Sequence, residues 1–168
     1  MMRDLRLTAG RARLPALLLC AGLVLAGPVA GQDEARLVVS NEAGEPLVTL
    51  PMAEGEGWCL EWNHSVEGFA VLDCYRHRDG RMLLERSHLP DFAAGLDHIP
   101  GRGRQVSDGQ GGYWIEDLDE PVPGNAYRLR VGAMRVNHRL VVEGKRISLS
   151  ELAANRPVTV RLATASRE

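Results

Sequence analysis

The chain has 168 residues, with 20 Lys plus Arg against 22 Asp plus Glu and a formal net charge of −2. Setting aside the first 31 residues, which hold four Arg and one Asp, leaves 137 residues with 16 basic and 21 acidic side chains, a net charge of −5. That length suits one domain with one core, and that balance argues against general nucleic-acid or anionic-membrane binding, which need a basic surface.

The N-terminal stretch reads as a secretory signal. Arg3, Arg6, Arg11 and Arg13 form a basic lead, Leu14 to Ala26 a short apolar run, and Val29-Ala30-Gly31 supplies small residues for cleavage before Gln32. The apolar run is too short to span a bilayer comfortably, so cleavage is expected over a retained anchor. Lipidation at Cys20 is disfavoured, because apolar residues continue on both sides of it. The expected organisation is a signal over 1–31, an all-β domain over 32–163 and a tail over 164–168. The expected location is periplasmic or secreted, with no membrane contact after cleavage. Without Cys20 the chain keeps two cysteines, Cys59 and Cys74. An even count in an oxidising compartment predicts a disulfide between them.

After the signal the pattern is strands and turns. Strands are expected at Arg36–Ser40, Pro46–Leu50, Phe69–Arg78 and Arg81–Leu89, then at Tyr113–Leu118, Tyr127–Met134, His138–Glu143, Lys145–Leu149 and Pro157–Ala163. Asp79-Gly80 is a strong hairpin turn, with Met82, Leu84 and Arg86 alternating beyond it on one side. From Pro90 to Gly112 the periodicity fails, and the stretch reads as an irregular loop. Ser150 to Asn155 reads as one capped helical turn, and no other segment carries a helical period. Short strands at regular spacing specify an all-β, single-domain antiparallel sandwich or barrel.

Trp58 to Arg78 is the centre of this pattern. If Cys59 faces Cys74, residue pairs sum to 133, which places Trp58 opposite Tyr75, Leu60 opposite Asp73, Trp62 opposite Val71 and His64 opposite Phe69 on the core face. The cysteines, Glu61 and Asn63 then share the other face. Val66-Glu67 would be a two-residue tip, although a longer loop with Gly68 at positive φ fits equally. Closing this loop by a disulfide would stabilise the fold by about 3 kcal/mol.

His64-Ser65-Val66-Glu67, the segment Val71-Leu72-Asp73-Cys74-Tyr75, the strand Leu83-Leu84-Glu85, the loop Ala94-Gly95-Leu96 and Arg130-Val131-Gly132 together resemble the bacterial domain-of-unknown-function family 1850. The likeness covers most of Leu37 to Leu162. It implies a small exported protein with an accessory role beside a TRAP-type transporter of the TAXI class. It assigns no catalytic residue.

The candidate binding positions are His64, Ser65, Glu67, Asp73 and Gly95, around the hairpin tip and the loop Asp91–Gly112. A Ser65 nucleophile is disfavoured, because neighbouring strand residues point to opposite faces and no G-x-S-x-G elbow is present. Donors His64, Glu67, Asp73, His88, Asp91, Asp97 and His98 could meet in space, but no metal-ligand spacing links them. The glycine-rich runs 101–104 and 108–112 do not follow a strand and open a helix, so they do not form a phosphate cradle. No cofactor and no metal is expected. Asp73 on the core face needs a partner, with Arg128, Arg130 or Arg135 as candidates. The favoured reading is a non-catalytic binding or accessory module for a transporter component or small solute. The alternatives are a metal- or carboxylate-dependent hydrolase using His64, Glu67 and Asp73, and a structural envelope protein.

Overall fold

The computed structural model describes residues 35–66, 68–90, 99 and 101–164. Its strands run in chain order β1 (Arg36–Ser40), β2 (Pro46–Pro51), β3 (Gly57–Asn63), β4 (Ala70–Arg78), β5 (Arg81–Leu89) and β6 (Arg104–Ser107). They continue as β7 (Tyr113–Glu116), β8 (Glu120–Pro121), β9 (Ala126–Arg130), β10 (Arg139–Val142), β11 (Lys145–Ser148) and β12 (Pro157–Ala163), with one helical turn, α1 (Leu149–Ala153), before the last strand. Two antiparallel sheets form. The small one has the order β2-β1-β12-β9, and the large one has the order β11-β10-β3-β4-β5-β7-β6 with β8 added beside β5. The fold is an all-β sandwich, not a closed barrel.

The strands of the small sheet alternate, apart from a register shift in the β1–β2 ladder that leaves both Leu47 and Val48 of β2 packed on the core. Leu37 and Val39 of β1 and Val158, Val160 and Leu162 of β12 are buried, while Arg36 and Arg161 are exposed. From the large sheet Trp58, Leu60 and Leu140 meet them in one core, joined by Met82, Val131 and Leu149. Burying a side chain of this size stabilises the fold by roughly 1.5–3 kcal/mol. A second, smaller cluster of Leu89, Tyr113 and Ile115 sits further along the large sheet.

The central hairpin has the expected register, from Gly57 opposite Arg76 to Asn63 opposite Ala70. The Cys59–Cys74 disulfide is formed, with the Cα atoms 4.0 Å apart. Trp58 stacks on Tyr75 at 5.5 Å and His64 on Phe69 at 5.1 Å. The tip takes the longer form. The Gly68 amide donates to the His64 carbonyl at 2.9 Å, and Gly68 has φ of 78°, a conformation that residues with a Cβ rarely adopt. At the other end Gly57 lies against β4, where an added Cβ would stand 2.5 Å from the Tyr75 carbonyl oxygen.

Several expectations need correction. The stretch 90–112 is not all loop: Arg104–Ser107 forms β6, an edge strand paired with β7. Its side chains are mostly exposed, so it carries no apolar alternation to detect. The helical turn begins one residue earlier than expected, at Leu149, and Ser148 caps it by accepting from the Glu151 amide. The strand expected over Tyr127–Met134 stops at Arg130, where Val131 leaves the ladder and donates its amide to the Arg156 carbonyl. Arg86 does not share a side with Met82 and Leu84. A bulge shifts the β4–β5 register between Cys74 and Tyr75, so that Cys74 faces Arg86 while Tyr75 faces Leu84. The extra residue, Glu85, is held outward by Arg76 Nε at 2.6 Å.

Candidate functional site

The large sheet has more strands than the small one, and the floor of a cleft of about 250 Å³ lies on its inner face. Strands β3, β4 and β5 supply Trp62, Val71, Leu84 and Leu89, and β7 supplies Ile115. Asp73, Ser87 and Arg102 are the polar members of this lining. The positions follow from the register: Asp73 pairs across the ladder with Ser87, and Ser87 in turn with Ile115. A few convergent polar groups among apolar walls is the usual composition of a small-molecule site.

Asp73 is the electrostatic centre of the cleft. Its carboxylate accepts a 2.6 Å hydrogen bond from the Ser87 hydroxyl. Burial pushes its pKa above the ordinary carboxylate value, opposed by that hydrogen bond and by the Arg102 charge. The opposition is incomplete because Arg102 is already engaged. Its guanidinium donates to both oxygens of Glu120, at 2.6 and 2.8 Å, which lowers the Glu120 pKa. Arg102 is therefore a near neighbour in charge but not a hydrogen-bonded counter-ion. The expected partners Arg128 and Arg130 do not serve Asp73, since they lie on the exposed face of the small sheet. Arg135 instead reaches the Ser65 carbonyl at 3.5 Å.

Behind the cleft, Tyr75 stacks between Trp58 and Tyr127, at 5.5 and 5.2 Å. Both tyrosine hydroxyls are held neutral, their pKa values raised first by burial, and Asp73 adds to the effect. Trp58 Nε1 and the Tyr127 hydroxyl complete no hydrogen bond of good geometry. On the other side Trp62 stacks on His138 at 6.1 Å. His138 is a structural clamp: its Nδ1 accepts the Gly132 amide at 2.9 Å, and its own amide donates to the Ser150 hydroxyl. Burial lowers its pKa, with Arg139 adding to that, which keeps the ring neutral and able to accept.

The other sequence-predicted residues are placed as follows. His64 and Ser65 are at the hairpin tip, His64 against Phe69 and Ser65 exposed. Glu67 and Gly95 lie outside the described residues, as do Asp91, Asp97 and His98. His88 points to the outer face, where Nε2 meets the Asp108 carboxylate at 2.9 Å and the ring tilts against Trp114. Asp108 also accepts from the amides of Gln110 and Gly112, and these bonds lower its pKa. Among the described residues no group of three His, Cys, Asp or Glu side chains is placed to hold a metal ion. Neither Ser87 nor Arg102 carries a sequence signal of its own. The bulge at Glu85 hides Ser87, because without it a period-two reading through Met82 and Leu84 turns Ser87 outward.

A family model described as "Domain of unknown function (DUF1850)" matches residues 59–149, the span that carries Trp62, Asp73, Ser87, Arg102 and Ile115. Neither a curated protein nor a solved structure matches the chain.

Proposed function

The chain belongs to the DUF1850 family, and from that premise we propose that it is an exported, non-catalytic binding module serving a TRAP-type (TAXI) solute uptake system. The observation that carries this reading is the Asp73–Ser87 pair in an open cleft with an indole and four aliphatic side chains around it. At about 250 Å³ the cleft suits a small solute with a compact apolar body and one polar head. A carboxyl held toward neutrality can donate to an acceptor on the ligand, and on ionising it can hold a ligand cation. The two protonation states thus set which head group is taken.

The same shifted carboxyl favours a second reading, a carboxylate-dependent hydrolase, because general acids need a raised pKa. His64 does not support it, being occupied at the hairpin tip rather than beside Asp73. One experiment separates the two. The tagged chain is expressed in a bacterium with a TAXI-type system, cross-linked in the periplasm and captured, alongside Asp73→Asn. Recovery of the transporter's permease or solute receptor with the wild type, weakened in the variant, supports the module. Recovery of the protein alone, with ester or phosphoester hydrolysis that Asp73→Asn abolishes, establishes the enzyme.

A further inference from the structure

The outward face of the small sheet has a charge pattern unlike the rest of the molecule. The ladder registers place Arg36, Arg161, Arg128 and Arg130 on that one face, interleaved with Val38, Ser40, Thr49 and Thr159. All four arginines are exposed, and no strand of the sheet contributes a carboxylate there. Among the described residues the ion pair at this face, Arg128 to Glu42 of the β1–β2 turn, is 3.9 Å long with both side chains well exposed. Elsewhere charges are largely neutralised in pairs: Glu61 with Arg139 and Arg146, Arg76 with Glu85, Arg104 with Glu116. A chain of negative net charge thus keeps a cationic plane.

We propose that this face, Arg36, Arg128, Arg130 and Arg161, docks on the anionic phospholipid surface of a membrane. Charge complementarity names the occupant class, and two further observations favour lipid over an acidic protein. The exposed large hydrophobic residues of the described chain are Val66, Ile99, Met134 and Leu152, none of them on this face. A protein interface of useful affinity normally has a buried apolar or aromatic anchor at its centre, and this face offers none. The arginines also flank a shallow groove of about 350 Å³ lined by Arg128, Arg161, Ser40, Thr159 and Glu42, where a guanidinium pair and two hydroxyls can meet a phosphate against a single exposed carboxylate. Each arginine near such a surface raises partitioning about fivefold, and the four together about a thousandfold at low salt. Net charge understates this, because only charges within a Debye length of the surface contribute.

The test is co-sedimentation of the full chain with vesicles of phosphatidylglycerol and phosphatidylcholine against vesicles of phosphatidylcholine alone. Arg130→Glu/Arg161→Glu is compared with a charge-matched control on the large sheet, Arg81→Glu/Lys145→Glu. All proteins retain Leu14–Ala26, so the difference between variants reads the face and not that apolar run. The expected result is phosphatidylglycerol-dependent binding that falls about 25-fold or more in the first variant, is retained in the control, and weakens as salt is raised. Equal loss in both variants, or equal binding to both vesicle types, overturns the proposal. So does complete displacement by millimolar inorganic phosphate at constant ionic strength, which would assign the groove to a soluble anion.

Discussion

The two sheets solve the same problem differently. The small sheet sorts most of its residues by face, large aliphatic side chains inward and arginines and hydroxyls outward with Val38 among them. The large sheet mixes them: Asp73 and Ser87 face inward among aliphatics, while the Cys59–Cys74 bridge and Trp114 face outward. The difference follows from coverage. Where the two sheets oppose one another the inner face must be apolar, but where the large sheet extends past the common core, polar groups can be tolerated at the bottom of an open cleft.

The comparison sharpens most if the large sheet loses its cross-link. Replacing Cys59 and Cys74 together by Ala is expected to lower stability by about 3 kcal/mol in denaturant unfolding, the loop-closure value for the residues between them. A loss of a few tenths would mean that the ladder alone holds the hairpin. Gly57→Ala comes next. The new methyl would press on the Tyr75 carbonyl oxygen, a backbone atom that cannot swing away, and a cost of about 2 kcal/mol is expected. The corresponding probe of the small sheet, Thr49→Ala on its open face, should change stability by no more than about 0.5 kcal/mol.

The effect expected at Asp73 has the opposite sign. The folded-state pKa of Asp73 lies above its unfolded value. The folded protein therefore binds more protons at this site, and the stabilising contribution is present at low pH and lost as pH rises through the raised value. Asp73→Asn removes that linkage. Thermal melts should show the variant gaining on the wild type as pH goes from 4 to 8, by a few degrees at the upper end. A variant that loses ground at high pH would show that the ionised carboxylate is well satisfied by Ser87 and Arg102, and that burial does not dominate at Asp73.

Much of this was legible in the chain. The Cys59–Cys74 register, the inward side of Trp58, Leu60 and Trp62, and the inward Asp73 all follow from period two and one pairing constraint. The all-β class followed from turn chemistry such as Asp79-Gly80. The cleft was half legible. Asp73 stood out because a carboxyl among apolar neighbours is costly, but its real neighbours, Ser87 and Arg102, are ordinary residues that only the three-dimensional arrangement selects. Edge strand β6 was illegible for a related reason: with little of it buried, its sequence was under no demand to alternate. The arginine face was in plain view as Arg128, Arg130 and Arg161, but only strand order β1-β12-β9 shows that they form one plane with Arg36.

The extra residue at Glu85 has one more consequence. It changes the parity of β5 midway, so even-numbered Met82 and Leu84 and odd-numbered Ser87 and Leu89 all face inward. A single strand can thereby serve a dry interior at one end and a wet recess at the other. The length of the chain between positions 74 and 87, rather than any one side chain there, decides whether the hydroxyl arrives beneath the carboxyl.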